Sequence, residues 1–362
     1  MLPYYILIIL PMIAQCFKHS GSMLYVSIKK EYKNDSTIKI FFAMLFLLLI
    51  FRHETVGIDL KNYNTIFEYI SSANWSNVLG RSAEVGYSFV NKVVSLFTSD
   101  FRWLLIIAAI LETYFLYKAY LKYSEDALLT ISLFVATTNF ILMFSGLRQA
   151  IAISLGFVAF EAVRKKKPFY FIIVTVIAIL FHTSAFMILF MYPLYHAKIK
   201  KKWLVWIIPV LAMIFVFNAQ IFGTLTMILS VFTKYDAEIS STGAYNMLIL
   251  FILFAIFAYV IPDESKLDSD TIGMRNFLLL SVALQTFAPL HNLAMRMNYY
   301  YIAFIPLLIP KIIKCRSDKW NQVAILSRYV MIIFFIAYFF IVPPRDNDLN
   351  TFPYRFFWDS GF

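Results

Sequence analysis

Long apolar stretches recur along this chain, joined alternately by Lys/Arg clusters and by connectors that carry isolated Asp, Glu, Arg and His. Each stretch approaches the ~20 helical residues that cross a hydrocarbon layer ~30 Å thick, and period-two alternation of the kind a barrel strand needs is absent. The sequence therefore reads as an all-α integral membrane protein, a polytopic helical bundle. A mean hydropathy of +0.72, with 61% hydrophobic, 19% aromatic and only 15% charged residues, excludes an ordinary soluble core.

Apolar spans are expected near 2–17, 38–51, 101–120, 127–146, 148–163, 168–181, 184–197, 203–219, 244–261, 276–292, 296–313 and 323–342, about twelve in all. Residues 1–362 then form a single polytopic transmembrane domain. Within it, 52–100 is a polar connector whose amphipathic stretches suit interfacial helices, and 343–362 is a tail.

The net charge of +11 does not point to nucleic acid, because the cations lie in short connectors. With the N-terminus outside, the inner side collects Lys18, Lys29, Lys30, Lys33, Lys39, Lys118, Lys122, Arg164 to Lys167, Lys198 to Lys202 and Lys311 to Lys319. Each cation near a span end resists translocation, so this bias predicts both termini, the 52–100 loop and the tail on the extracytoplasmic side. Cys16 and Cys315 would both sit near the cytoplasmic face, where no disulfide is expected.

One segment strains the scheme. Pro168 to His196 has strongly basic flanks at both ends, so the chain is expected to turn near His182-Thr183-Ser184. Arms of ~14 residues rise only ~21 Å, which places the turn at a cavity floor below the outer surface. A histidine at that depth lines water or is hydrogen-bonded between helices.

Two arginines also need an explanation. Arg148 follows the short connector Ser145-Gly146-Leu147, beside Gln149, and Arg296 follows His291 and Asn292. An arginine in the hydrocarbon zone costs ~2.5–3.5 kcal/mol unless it meets a partner or water. Either it pairs with Asp59 or Glu84 or snorkels to the interface, or it binds an anion approaching from outside. The guanidinium fork suits phosphate oxygens, and two such forks suit a diphosphate carried on a lipid. Asp268-Ser269-Asp270 and Asp346-Asn347-Asp348 have the spacing of metal-binding pairs, but the first lies on the inner face and the second reads as a solvated tail, so no metal and no other cofactor is expected. Tyr299 to Tyr301, Trp75 and Phe352 to Trp358 either stack on sugars or anchor at the interface.

Arg52, Gly57-x-Asp59-x-x-x-Tyr63, Glu84-x-Gly86-Tyr87, Gly146-Leu147-Arg148-Gln149-Ala150, His182-Thr183-Ser184-Ala185 and Arg296, in this order, resemble the EpsG family, a branch of bacterial Wzy-type polysaccharide polymerases. The resemblance implies a GT-C-like glycosyltransferase in the bacterial inner membrane, with its active site facing outward. It would join oligosaccharide repeat units carried on undecaprenyl diphosphate into capsule, exopolysaccharide or O-antigen. Besides the bilayer, a chain-length regulator and a repeat-unit flippase would be its partners. On that footing Arg148, Arg296 and Gln149 bind the lipid diphosphate, and His182 first, then Asp59, then Glu84, are candidate bases. Arg52, Gly57, Tyr63, Tyr87, Thr183, Ser184, His291 and Tyr300 line the substrate cavity. For Gly57-x-Asp59 the competing reading is an Asp-stabilised turn or helix cap. A flippase of lipid-linked glycan and a membrane acyltransferase are the alternative functions. Related halves, expected of the first, are absent, and His182 faces away from the cytoplasmic channel expected of the second.

Overall fold

A computed structural model describes residues 1–22, 36–81, 84–230, 245–347 and 349–359. Lys29, Lys30, Lys33 and Asp348 lie outside the described residues, as do the side chains of Cys16 and Lys18. The described secondary structure is helical, with two isolated bridges and no strand. The chain divides into two compact units, Met1–Phe186 with Leu326–Phe362, and Met187–Ile325.

The first unit contains α1 (Leu2–Ser22), α2 (Ser36–Phe51), α3 (Leu60–Ser72), α4 (Trp75–Arg81), α5 (Val85–Ser95), α6 (Phe101–Tyr123), α7 (Ala127–Ala136), α8 (Thr138–Ser145), α9 (Leu147–Arg164) and α10 (Pro168–Phe181). Carboxylates mark two of the starts. Asp100 accepts the Arg102 amide at 2.9 Å ahead of α6, and Asp126 accepts that of Leu129 at 3.2 Å ahead of α7. The span expected at 127–146 is bent by 61° between α7 and α8. There Ala136-Thr137-Thr138-Asn139 interrupts the apolar run, and the Thr137 hydroxyl donates to the Phe134 carbonyl at 2.8 Å, a local bond that competes with the helix ladder. Between α9 and α10, Lys166 adopts φ +52° and Pro168 begins the next helix with its preset φ.

The helices of the 52–100 connector pack onto α6 and α9. Tyr63 and Phe67 of α3 and Tyr87 and Val94 of α5 pack with Leu104, Leu105, Leu147 and Ile151. Buried Lys92 donates to the carbonyls of Ile70 and Ser71, both at 3.1 Å, and so closes the last turn of α3.

The second unit contains α11 (Met191–His196), α12 (Leu204–Val216), α13 (Asn218–Ser230), α14 (Tyr245–Val260), α15 (Ser269–Gln285), α16 (Asn292–Ile302) and α17 (Ile305–Lys314). Its hub is α15, which packs against α11, α12, α14, α16 and α17. Arg275, 1% exposed, pairs with Glu264 at 2.6 Å and donates to the Ile199 carbonyl at 3.1 Å. Asn276 donates to the carbonyls of Leu194 and Ala197. These buried polar groups tie down the connector that begins the 198–202 lysine cluster. The last helix, α18 (Asn321–Asp346), starts in the second unit and belongs to the first from Leu326 onward.

By length and apolarity, Phe101–Tyr123 and Asp318–Asp346 each suffice to cross a membrane. Two bent pairs, α7 with α8 and Lys201–Val216 with Asn218–Thr224, qualify as broken spans, and four shorter apolar helices add to them. The protein is a helical, multi-pass membrane protein.

The expected free tail is built into the first unit instead. The amides of Gly57 and Ile58 donate to Asn350 and Leu349, each at 2.9 Å, and His53 donates to Arg355 at 2.9 Å. Phe352 and Tyr354 are buried around Tyr4, whose hydroxyl donates to the Thr351 carbonyl at 2.7 Å. These two rings are core, neither interfacial anchors nor sugar platforms, while Trp358 is 55% exposed.

Candidate functional site

The α8–α9 junction is the scaffold of the site, and residues 52–59 grip it from one side. Arg52, 2% exposed, donates from Nη1 to the Met143 carbonyl at 3.0 Å, with its guanidinium 5.7 Å from the Phe144 ring. Gly57 has φ +114°, and a Cβ there would lie 2.0 Å from the Phe144 carbonyl oxygen. Only glycine accepts both the left-handed backbone and that approach. Two residues on, Asp59 occupies the N-cap position of α3 without a side-chain capping bond. Its Oδ2 instead accepts from the Ser145 hydroxyl at 2.9 Å, so the carboxylate is turned toward the junction.

The same turn begins α9 and presents Arg148. Its Nη1 pairs with Glu84 Oε2, its Nε lies 3.4 Å from the Tyr63 hydroxyl, and its charged end sits 5.5 and 5.9 Å from the Tyr63 and Tyr87 rings. Of the two expectations for this arginine, the ion pair with Glu84 is present. The pairing does not consume it: the Arg148 side chain stays 37% exposed, against 10% for Glu84. Burial raises the Tyr63 and Tyr87 hydroxyls above their ordinary pKa, so both remain neutral next to the ion pair.

Glu84 reaches His182 as well, with Oε1 3.8 Å from Nδ1. Gly86 makes this approach possible, since a Cβ there would lie 3.0 Å from both Cβ and the carbonyl oxygen of Leu180, and α5 rests directly on the end of α10. His182 ends α10 in extended conformation, and a 3-10 helix, Thr183–Phe190, follows. The helix therefore breaks where the basic flanks led us to expect a turn. His182 Nδ1 accepts the Ser184 amide at 3.2 Å and faces the Ser184 hydroxyl at 3.0 Å, and Gln149 donates to that hydroxyl at 3.5 Å. An Nδ1 that accepts a backbone N–H puts the proton of the neutral ring on Nε2. In this arrangement the donor of the neutral ring is its Nε2–H.

The first unit thus joins Arg52, Gly57, Asp59, Tyr63, Glu84, Tyr87, Arg148, Gln149, His182 and Ser184 in one continuous constellation. Arg148 heads α9, where the helix dipole adds to its positive field. Sequence reasoning missed Ser145 as the partner of Asp59 and the Met143 carbonyl as the seat of Arg52. The signal for the first was Ser145-Gly146 ahead of a helix start, whereas a backbone acceptor leaves none. Glu112 of α6 is fully buried, neither of its carboxyl oxygens meets a donor among the described residues, and it exerts the largest charge interaction on Arg52. An ionisable residue inside an apolar span was the clue to it.

The remaining candidates belong to the second unit. His291 caps α16, with Nδ1 accepting the Leu293 amide at 2.9 Å, and Arg296 is exposed one to two turns further on. Tyr300 is 0% exposed, which leaves it no face for a sugar ring. Both carboxylates of Asp268-Ser269-Asp270 have structural work: Asp268 caps α15 through the Thr271 amide at 2.7 Å, and Asp270 accepts the Tyr195 hydroxyl at 2.7 Å.

Neither a curated protein nor a solved structure matches the chain. A family model does, over residues 37–356, a stretch that contains every residue of the constellation. The chain belongs to the EpsG family, and with it to the membrane proteins of polysaccharide biosynthesis.

Proposed function

We propose that the protein is a repeat-unit polymerase, a glycosyltransferase with about twelve membrane crossings and a GT-C-like outline. It joins oligosaccharides carried on undecaprenyl diphosphate at the outer face of the bacterial inner membrane. The observation that carries the reading is Arg148: held by Glu84 and Tyr63 at a helix N-terminus, it keeps a partly exposed side chain, with a histidine on the same glutamate and a carboxylate turned toward the same junction.

In the reaction, an acceptor hydroxyl attacks the anomeric carbon of the donor sugar. The bond from that carbon to the diphosphate oxygen breaks, and its electron pair leaves with the phosphate. Arg148 stabilises the charge developing there, and the Nε2–H of His182 supplies a second donor. The hydroxyl proton passes to Asp59, which takes precedence over His182 as base because the Nδ1 of the ring is already occupied. Glu84 fixes the orientation of the arginine fork. Arg296 is kept as a candidate phosphate ligand on chemical type alone.

The test is reconstitution in liposomes with a lipid-diphosphate oligosaccharide from the host and no nucleotide sugar. A ladder at whole-repeat intervals is expected, with Arg148→Ala slowing it ~10²- to 10³-fold. Asp59→Asn should abolish the ladder while leaving donor retention intact. Unchanged oligosaccharide that moves between leaflets would replace this reading with a flippase.

A further inference from the structure

The second unit contains an apolar groove of about 680 Å³ between α12, α14 and α15. Ile207, Leu211, Ile252 and Ile256 are among its walls, and Lys201 at one end is its one charged lining residue among the described residues. From Leu204 to Phe215 the lining runs eleven residues along α12, a rise of about 17 Å, close to half of a ~30 Å hydrocarbon layer. The groove therefore has the length of one leaflet, a cation at one mouth and mostly apolar walls elsewhere.

The basic mouth is also unsatisfied. Lys198, Lys200, Lys201 and Lys202 are exposed, and none pairs with a carboxylate among the described residues. Neighbouring acids are taken up, Glu264 by Arg275 and Asp268 by Lys311. What fits is a ligand with an anionic head and an apolar chain one leaflet long.

We infer that this groove binds an anionic glycerophospholipid, with one acyl chain along α12 and α14 and the phosphate at Lys201. The polyprenyl carrier of the proposed reaction is the rival occupant, but its diphosphate is drawn to the arginine sites. The lysine mouth lies at the opposite end of α15 from Thr286 and the His291–Arg296 segment. The bound lipid fills the cleft that three apolar helices leave open and anchors the lysine connector to the headgroup layer.

Native mass spectrometry of the detergent-purified full chain tests this, using dioleoyl phosphatidylglycerol, dioleoyl phosphatidylethanolamine and a polyprenyl phosphate as probes. Phosphatidylglycerol should be retained preferentially. Lys201→Gln should weaken it about fivefold and Lys201→Glu roughly 25-fold, the effect of one and two units of charge near a headgroup. Ala255→Phe, which fills the groove from a partly exposed lining position, should remove the adduct without lowering the melting temperature of the lipid-free protein. Equal retention of the two phospholipids, indifference to Lys201→Glu, or polyprenyl phosphate outcompeting phosphatidylglycerol in an Ala255-dependent way would overturn the inference. Each readout is independent of polymerase activity.

Discussion

In the first unit α9 is wedged between α6 and α10 and buries thirteen of its eighteen residues, whereas α12 of the second unit buries none of its thirteen. The more apolar of the two is the exposed one. Its sequence, Leu-Val-Trp-Ile-Ile-Pro-Val-Leu-Ala-Met-Ile-Phe-Val, is free of charge, while α9 contains Arg148, Gln149, Ser154 and Glu161. In water this ranking would be reversed. In a bilayer the lipid is as apolar as leucine, so burial against protein follows small side chains and polar partners rather than hydrophobicity. The alanines and Gly156 of α9 allow close approach, and its polar ends reach Glu84, Tyr63, Lys122 and Tyr123.

This contrast is open to direct attack, beginning where buried polar groups carry most. Arg52→Met removes the charge facing Glu112 and the donor to Met143, and should cost ~3–5 kcal/mol, read as a lower melting temperature in detergent. Arg52→Met with Glu112→Leu should recover part of that loss, because no charge is then left alone in the core. Arg148→Ala, which leaves Glu84 facing His182, should cost less stability than Arg52→Met and appear chiefly as the ~10²- to 10³-fold loss of ladder formation described above. A smaller, backbone effect is expected at Gly57: Gly57→Ala faces the Phe144 carbonyl in a left-handed conformation, at a cost of ~1–3 kcal/mol.

Asp268 gives the second unit its own, milder test. Burial opposes its charge, but the Thr271 hydroxyl and amide and the Lys311 ammonium outweigh burial and hold the carboxyl below its usual range. A carboxylate depressed in the folded state stabilises above its unfolded pKa, and the contribution disappears as pH falls through the folded value. Asp268→Ala should therefore cost ~1 kcal/mol at neutral pH, with the difference from wild type vanishing in strong acid. At the far end of the scale, Val210→Leu on exposed α12 should change stability by less than ~0.5 kcal/mol. A loss comparable to that of Arg52→Met would mean that α12 is buried against something other than lipid.

Several features of the site are legible in the sequence. Charged residues are rare enough in an apolar chain that Arg148, Glu84, Asp59 and His182 stood out singly, and the paired basic flanks of Pro168 to His196 located the helix break. Their connections were less legible. Glu84 was an equal candidate with Asp59 as partner of Arg148, and only the approach of α5 to α10 at Gly86 decides between them. The histidine looked like a base until the Ser184 amide fixed its Nδ1 as an acceptor. The tail from Pro343 onward read as solvated because its composition is polar, but its amide and carbonyl partners are residues 51–58, some 300 positions away.

The sequence by itself determined that this chain is helical and crosses a membrane repeatedly, since no other structure satisfies so many backbone groups in hydrocarbon. It also determined which few polar residues must be explained. Tertiary structure alone decided which of them meet, which helices are buried in protein and which stay exposed, and that a terminal segment braces the loop carrying Gly57 and Asp59. Those outcomes depend on distances between elements remote in the chain, and residue type and spacing carry no record of such distances.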